Sequence, residues 1–233
     1  MIVGMSMQTF FSIQHVRAAT YFARESARLQ KRMKKSATTL QLSTPLKATV
    51  TAALFSSVAF LEATINEIYA EAEKENGLLG SIDPNASKLI AYLWESGEID
   101  RASVMNKFSI LLAAASRDPL DKGSKTCQEV KSLISLRNAL MHYKSSWLDI
   151  GTEGMVRKGA LTNSGLIKSI SSSFEWLPGS SRSDGWMSAD CAIWSAESSI
   201  NYANYFFERL DIVPTYSHVL EDLKLPDRNR VKL

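Results

Sequence analysis

Between residues 46 and 72 the apolar side chains keep helical step almost without interruption. Leu46, Val50, Ala53, Leu54, Val58, Leu61, Ile65, Ile68 and Ala72 follow one another at intervals of three and four, the spacing that aligns side chains on one face of an α-helix. Ser43 or Thr44 offers an N-cap, Pro45 suits the first helical position, and Asn76 with Gly77 supplies a stop. Such a helix is about 45 Å long at 1.5 Å per residue. An apolar face of that length needs partners of similar length, which points to a helical bundle.

The rest of the chain supplies them. Residues 8–35 read as an earlier helix, with Phe11, Val16, Ala19, Tyr21, Phe22 and Leu29 as a loose apolar face. Residues 81–85 form a turn, and residues 87–95 form a short helix that ends at Gly97. Asp100 caps a helix running to Ala115, with Val104, Phe108, Leu111 and Leu112 inward. Thr126 and Glu129 resemble a capping box that opens a helix to about residue 144. Ser188 caps a last helix, with Ala192, Ile193, Ala196, Ile200, Ala203, Phe206, Phe207 and Leu210 inward. Residues 145–187 are rich in Ser and Gly, with Trp147, Phe174, Trp176 and Trp186 out of period; they read as a long, partly structured insertion over the bundle. After Pro214 the tail becomes charged and is expected to be loose. The expected fold is an all-α bundle of about five helices in one domain over residues 1–233, with long antiparallel helices around residues 46–75, 129–144 and 189–210.

Composition narrows the function classes. The formal charge is only +3, so no global polyanion coat is implied. Local charge is uneven: Arg24, Arg28, Lys31, Arg32, Lys34 and Lys35 cluster in one segment, and Arg228, Arg230 and Lys232 lie in the tail. A solvated helix end and a frayed terminus explain both clusters; phosphate contact, with Arg28, Lys31 and Arg32 as RNA-binding candidates, is the alternative. Cys127 and Cys191 form neither a zinc pattern nor a disulfide framework, and they fit a reducing cytoplasm as small buried hydrophobes. No signal peptide is read at the start. The longest uncharged apolar run, residues 48–61, is about fourteen residues, which suits a buried helix rather than a bilayer span. No Gly-rich phosphate loop and no Gly-x-Ser-x-Gly elbow occur, and the three His lack ligand spacing, so neither a metal nor a cofactor is expected.

The chemistry-bearing residues sit inside the helix that starts near residue 129. Val130, Leu133, Ile134, Leu140 and Met141 form its apolar stripe, and Arg137 falls near the middle, where a Leu would be expected. A guanidinium there is costly unless a carboxylate, a ligand phosphate or a second copy of the protein meets it. Asn138 and His142, four residues apart, are neighbours on the flank of the stripe. Polar groups in place of core residues are where sequence logic breaks at functional sites. Arg137 could equally close an internal salt bridge with Glu62 or Glu67, and His142 could simply end a helix whose dipole favours it.

The run Arg137, Asn138, Ala139, Leu140, Met141, His142 resembles the signature of the HEPN superfamily: Arg, a following polar residue, and a His after four to six positions. Residues 57–69, including Glu62, Asn66 and Glu67, look like the early long helix of that family, and residues 191–207 look like its final helix in a bacterial subgroup. The resemblance covers roughly residues 45–210. It implies a metal-independent endoribonuclease in which the ribose 2′-hydroxyl attacks the adjacent phosphate. The products would be a 2′,3′-cyclic phosphate and a 5′-hydroxyl. His142 would transfer protons, Arg137 would hold phosphate oxygens in its planar fork, and Asn138 would bond a phosphate or orient the imidazole. Glu62 and Asn66 would orient the trio, and Tyr143 could stack on a base. One copy has a single His in the motif, so a two-fold homodimer would supply base and acid together. The implied setting is a cytoplasmic toxin or anti-phage effector, with an antitoxin or defence-system protein as a possible partner and no membrane. The rival expectation is a non-catalytic helical module that binds a nucleotide, RNA or a partner protein.

Overall fold

The computed structural model describes residues 10–35, 39–72, 74, 78–79, 83–142, 148–151, 154–157, 164–177 and 185–228. Its order is α1 (Phe11–Lys35), α2 (Thr39–Glu71), α3 (Pro84–Glu95), α4 (Val104–Ala114), α5 (Lys125–Met141), strands β1 (Leu148–Gly151) and β2 (Gly154–Arg157), α6 (Ser164–Ser171), α7 (Ala189–Leu210) and a 3-10 segment (Ser217–Leu223). The fold is an all-α bundle, and the two short antiparallel strands, Leu148 opposite Arg157 and Gly151 opposite Gly154, form a small hairpin beside it. The described residues hold seven α-helices rather than about five. The proposed stop at Asn76 and Gly77, part of the expected turn after it, and Trp147 lie outside the described residues.

Two apolar clusters fix the helix directions. In the first, Phe60, Leu61, Ile65 and Ile68 of α2 meet Cys127 and Val130 of α5 and Tyr202, Phe206 and Leu210 of α7. In the second, Leu46, Val50 and Leu54 of α2 meet Leu133 and Leu136 of α5 and Cys191, Ile193 and Ala196 of α7. Helices α2 and α7 therefore run the same way and α5 runs against both, so the three long helices alternate in direction along the chain, as expected. Helix α1 is antiparallel to α2: Ser12 bonds Glu67 at one end, and Ser26 Oγ donates to Thr49 Oγ1 at 2.9 Å near the other. The seam between them is built from small residues, including Ala19, Ala23 and Ser26, all buried. That close approach turns Phe11 and Tyr21, expected inward, out to solvent at 59% and 57% exposure.

Local capping explains where several boundaries differ from the sequence reading. Helix α3 starts earlier than expected because Asp83 accepts from the N–H groups of Asn85 and Ala86, with Pro84 in the first turn. Helix α4 is capped by Ser103, not Asp100: Ser103 Oγ accepts from Asn106 N, while the buried Ile99 pins the preceding turn. Helix α5 is capped by Ser124, not Thr126; Ser124 Oγ accepts from Cys127 N and donates to Asp121 O. It stops at Met141, short of residue 144, with His142 as C-cap. Helix α2 begins at Thr39, so Pro45 lies inside it. Ser188 caps α7 as expected.

The segment Ser43–Glu71 is long and apolar enough to cross a membrane by length and composition. Its apolar stripe of Leu46, Val50, Leu54, Val58, Leu61, Ile65 and Ile68 is core here, while Phe55 is partly buried. Helix α7 is more buried than one apolar stripe requires. Its first eight residues are all buried, so it is surrounded by the other elements. Cys127 and Cys191 are free and buried, and burial pushes the Cys191 thiol up.

The tail is tied down over its described part, which corrects the expectation of a loose end. Tyr216 is fully buried, packs edge-on against Phe60 and Phe207, and donates its hydroxyl to Asn204 Oδ1 at 2.6 Å. Val219 and Leu223 are buried, Asp222 pairs with Arg17 at 2.9 Å, and Arg24 donates to the Asp222 and Lys224 carbonyls. Arg228, expected in a frayed terminus, forks onto the 3% exposed Asp190 at 2.5 and 3.1 Å and donates to Ser173 O at 2.6 Å. Arg230 and Lys232 lie outside the described residues.

Glu197 shares this corner, 3.6 Å from Arg228. Burial raises its carboxyl above the usual range, against the opposing pull of Arg228. A carboxyl raised by folding favours its protonated form. Stability from this group is full below its unfolded value of about 4.3 and is lost as pH rises through the folded value. Glu197→Gln is therefore expected to raise the unfolding midpoint at pH 7 relative to wild type. The difference should vanish near pH 4 in a thermal melt series.

Candidate functional site

The buried face of α5 comprises Cys127, Val130, Leu133 and Leu136, and it turns gradually along the helix. Arg137 follows on the edge of that face, with its side chain 19% exposed and ion-paired to Glu62 of α2. Of the two carboxylates that could have met it, Glu62 does so. Glu67 is engaged elsewhere, accepting from Ser12 N at 2.8 Å and Ser12 Oγ at 2.5 Å at the positive end of α1. The Glu62 side chain remains 42% exposed, so the pair faces solvent on one side. Arg137 Nε is buried without a hydrogen-bond partner among the described residues.

The remaining trio members point elsewhere. Asn138 and His142 are exposed, and the His142 N–H donates to Asn138 O at 3.0 Å as the helix ends. Five residues of α-helix separate Arg137 from His142 by about 140° around the axis and about 7.5 Å along it. The structure therefore joins Arg137 to Glu62 and leaves Asn138 and His142 together on the outer flank. Met141, expected in the buried stripe, is 55% exposed. In this last part of α5, Leu136 is buried and Leu140 packs against the core, while Met141 faces out. Tyr143 lies outside the described residues.

Asn66, one turn after Glu62, faces α4. Its Oδ1 accepts from Lys107 Nζ at 2.9 Å, and the Lys107 backbone carbonyl accepts from the Tyr69 hydroxyl at 3.0 Å. Lys107 is only 8% exposed. With Glu62, Ile65, Asp100, Ala102 and Val104, these residues line a cleft of about 270 Å³ between α2 and α4. Sequence reasoning missed Lys107. The available signal was the one that exposed Arg137: a cation in helical step with Val104 and Leu111, inside an apolar frame.

No protein-family model, curated protein or solved structure matches this chain. The site must be read from its own geometry.

The basic candidates of α1 are exposed along one face. Arg28 forks onto Glu25 at 2.5 and 2.8 Å and holds that carboxyl below the usual range. Lys31 and Arg32 continue the face one turn later. A second groove, of about 490 Å³, lies between α5 and α6 and includes Lys131, Ser132, Ser135 and Ser169. Among the described residues no three His, Cys, Asp or Glu side chains converge as a metal-holding group.

Proposed function

We propose that the chain is a metal-independent endoribonuclease of HEPN type, acting as a homodimer. The observation that carries this reading is the split disposition of the trio. Arg137 is set into the helix seam on an ion pair whose Glu62 side faces solvent, while Asn138 and His142 stand exposed on the outer flank of the same helix. The Glu62 side of the pair is open to solvent, so a phosphate that offers Arg137 two oxygens can compete with Glu62 for the guanidinium. Within one copy His142 is turned away from Arg137. Two copies meeting across this flank would bring two imidazoles to one phosphate: one would take the 2′-hydroxyl proton, and the other would give a proton to the departing 5′-oxygen. The guanidinium would offset the charge that develops on phosphorus-bound oxygen. Arg28, Lys31 and Arg32 are proposed to contact the RNA backbone. The biological setting that goes with this reading is a cytoplasmic toxin or anti-phage effector held in check by a partner protein.

A second reading has its own observation. Arg137 is engaged by Glu62 rather than presented, as it would be in a non-catalytic module that binds nucleotide, RNA or protein. Incubating the purified protein with total RNA in excess EDTA separates the two. Fragments ending in 2′,3′-cyclic phosphate and 5′-hydroxyl are expected; intact RNA of every class would leave the binding module.

A further inference from the structure

The last turns of α1 hold more positive charge than the whole chain. Residues 24–35 carry six basic side chains and one acidic one, a net of +5, whereas the whole chain is +3. The rest of the chain is therefore net acidic, and a polyanion is drawn to this end of α1. Every exposed residue from 24 to 35 is basic. Tyr21, Arg24, Arg28, Lys31 and Lys35 follow one another at steps of three and four, so they share one outward line on the helix, about 21 Å long at 1.5 Å per residue.

The cations on this line are held in place without being neutralised. Arg24 donates through Nη1 to the Asp222 and Lys224 carbonyls, which fixes the side chain and leaves its Nε and Nη2 donors for another acceptor. Arg28 forks onto Glu25 through Nε and Nη2 and keeps its Nη1 edge. The other nearby acids are already matched, Asp222 by Arg17 and Glu221 by Lys224. At the start of the line Tyr21 is 57% exposed, edge-on to Phe22 at 5.4 Å and in electrostatic range of Arg28. A row of cations with an exposed ring at one end matches single-stranded nucleic acid, whose phosphates repeat and whose unpaired bases stack. An anionic bilayer also rewards buried apolar area, and the line beyond Tyr21 offers none.

We propose that this face of α1 is a docking track for single-stranded RNA, with Arg24, Arg28, Lys31 and Lys35 on successive phosphates and Tyr21 stacked on an unpaired base. It rests on the reading of the chain as RNA-directed and turns the basic residues named there into a continuous site with its own stacking residue; it does not need cleavage. Leu29 of α1 and Leu136 of α5 share the second apolar cluster. A strand that leaves the track at Lys35 therefore does so at the end of the bundle where α5 stops.

The test measures equilibrium binding of a 2′-O-methyl oligo(U) strand, which lacks the attacking hydroxyl, over a range of salt concentrations. The same strand in a duplex, and vesicles containing phosphatidylserine, are the comparisons. Four phosphate contacts predict a slope of about −3 for log affinity against log salt, at about 0.7 per contact on a single strand. Lys31→Ala with Lys35→Ala should flatten it by about 1.4. Tyr21→Ala should weaken binding about tenfold with the slope unchanged, the scale of one stacked base, and Tyr21→Phe should bind like wild type. Arg24 is kept because it also fastens the tail. That pattern supports the track even if natural RNA is never cut, in which case only the nuclease reading falls. Strand affinity that survives the lysine changes, or that ignores Tyr21→Ala, overturns it even if RNA is cut. Equal affinity for the duplex, or binding to the vesicles and not to the strand, also overturns it.

Discussion

His142→Ala is expected to slow RNA fragment formation by about 10²–10⁴-fold, the usual contribution of a positioned proton-transfer group. The unfolding midpoint should stay close to that of wild type. His142 is exposed and ends α5 through its backbone N–H, which alanine retains, so the two readouts separate chemistry from folding. Arg137→Lys should fall between wild type and His142→Ala: it keeps a charge beside Glu62 but loses the planar fork that holds two oxygens at once. End-labelled RNA in EDTA, with initial rates compared across the three proteins, gives the answer. A His142→Ala protein that cuts at the wild-type rate would remove the trio from the mechanism and return Arg137 to a purely structural ion pair.

Arg228→Ala is expected to cost about 3 kcal/mol of stability, the lower end of the range for stripping one partner from a buried ion pair. In a chain of this size that corresponds to a fall of about 6–12 °C in the midpoint. Asp190 is 3% exposed and would keep one donor, the N–H of Glu175 at 2.7 Å, while losing both guanidinium contacts. Its place in the first turn of α7 offsets part of the loss. Asp190→Asn with Arg228→Ala should recover part of it, since the double variant no longer buries an unmatched charge. Urea unfolding of the three variants checks this. A single Arg228→Ala protein as stable as wild type would show that the tail contact contributes nothing.

How much of this was legible in the sequence depended on whether one local signal dominated. The stripe from Leu46 to Ile68 and the Ser188 cap read correctly because period and cap agreed. The caps at Ser103 and Ser124 were misread because each lies within three residues of another plausible capping residue. Tertiary contacts decided which of them was used. Phe11 and Tyr21 were assigned inward by hydrophobicity alone, whereas the α1–α2 seam selects small residues. The Arg137–Glu62 pair was one of two partners that helix geometry allowed. Lys107 and Asp190 went unseen, and Arg228 was read as part of a frayed tail, because their meaning depends on pairings 38 to 41 residues apart. The charged tail had no period to reveal that Tyr216, Val219 and Leu223 are core residues.

The pairing of Arg17 with Asp222 spans 205 positions. Closing so long a loop costs chain entropy before any contact compensates for it, and contacts of this separation slow folding. The helix hairpin of α1 and α2 can form from neighbouring sequence alone. The strap from Tyr216 to Arg228 has nothing to close on until α1, α2 and α7 are already side by side. One strap thus ties together three helices, two of them remote from it in sequence, so stability lost at any one of its contacts is expected to be shared by all three.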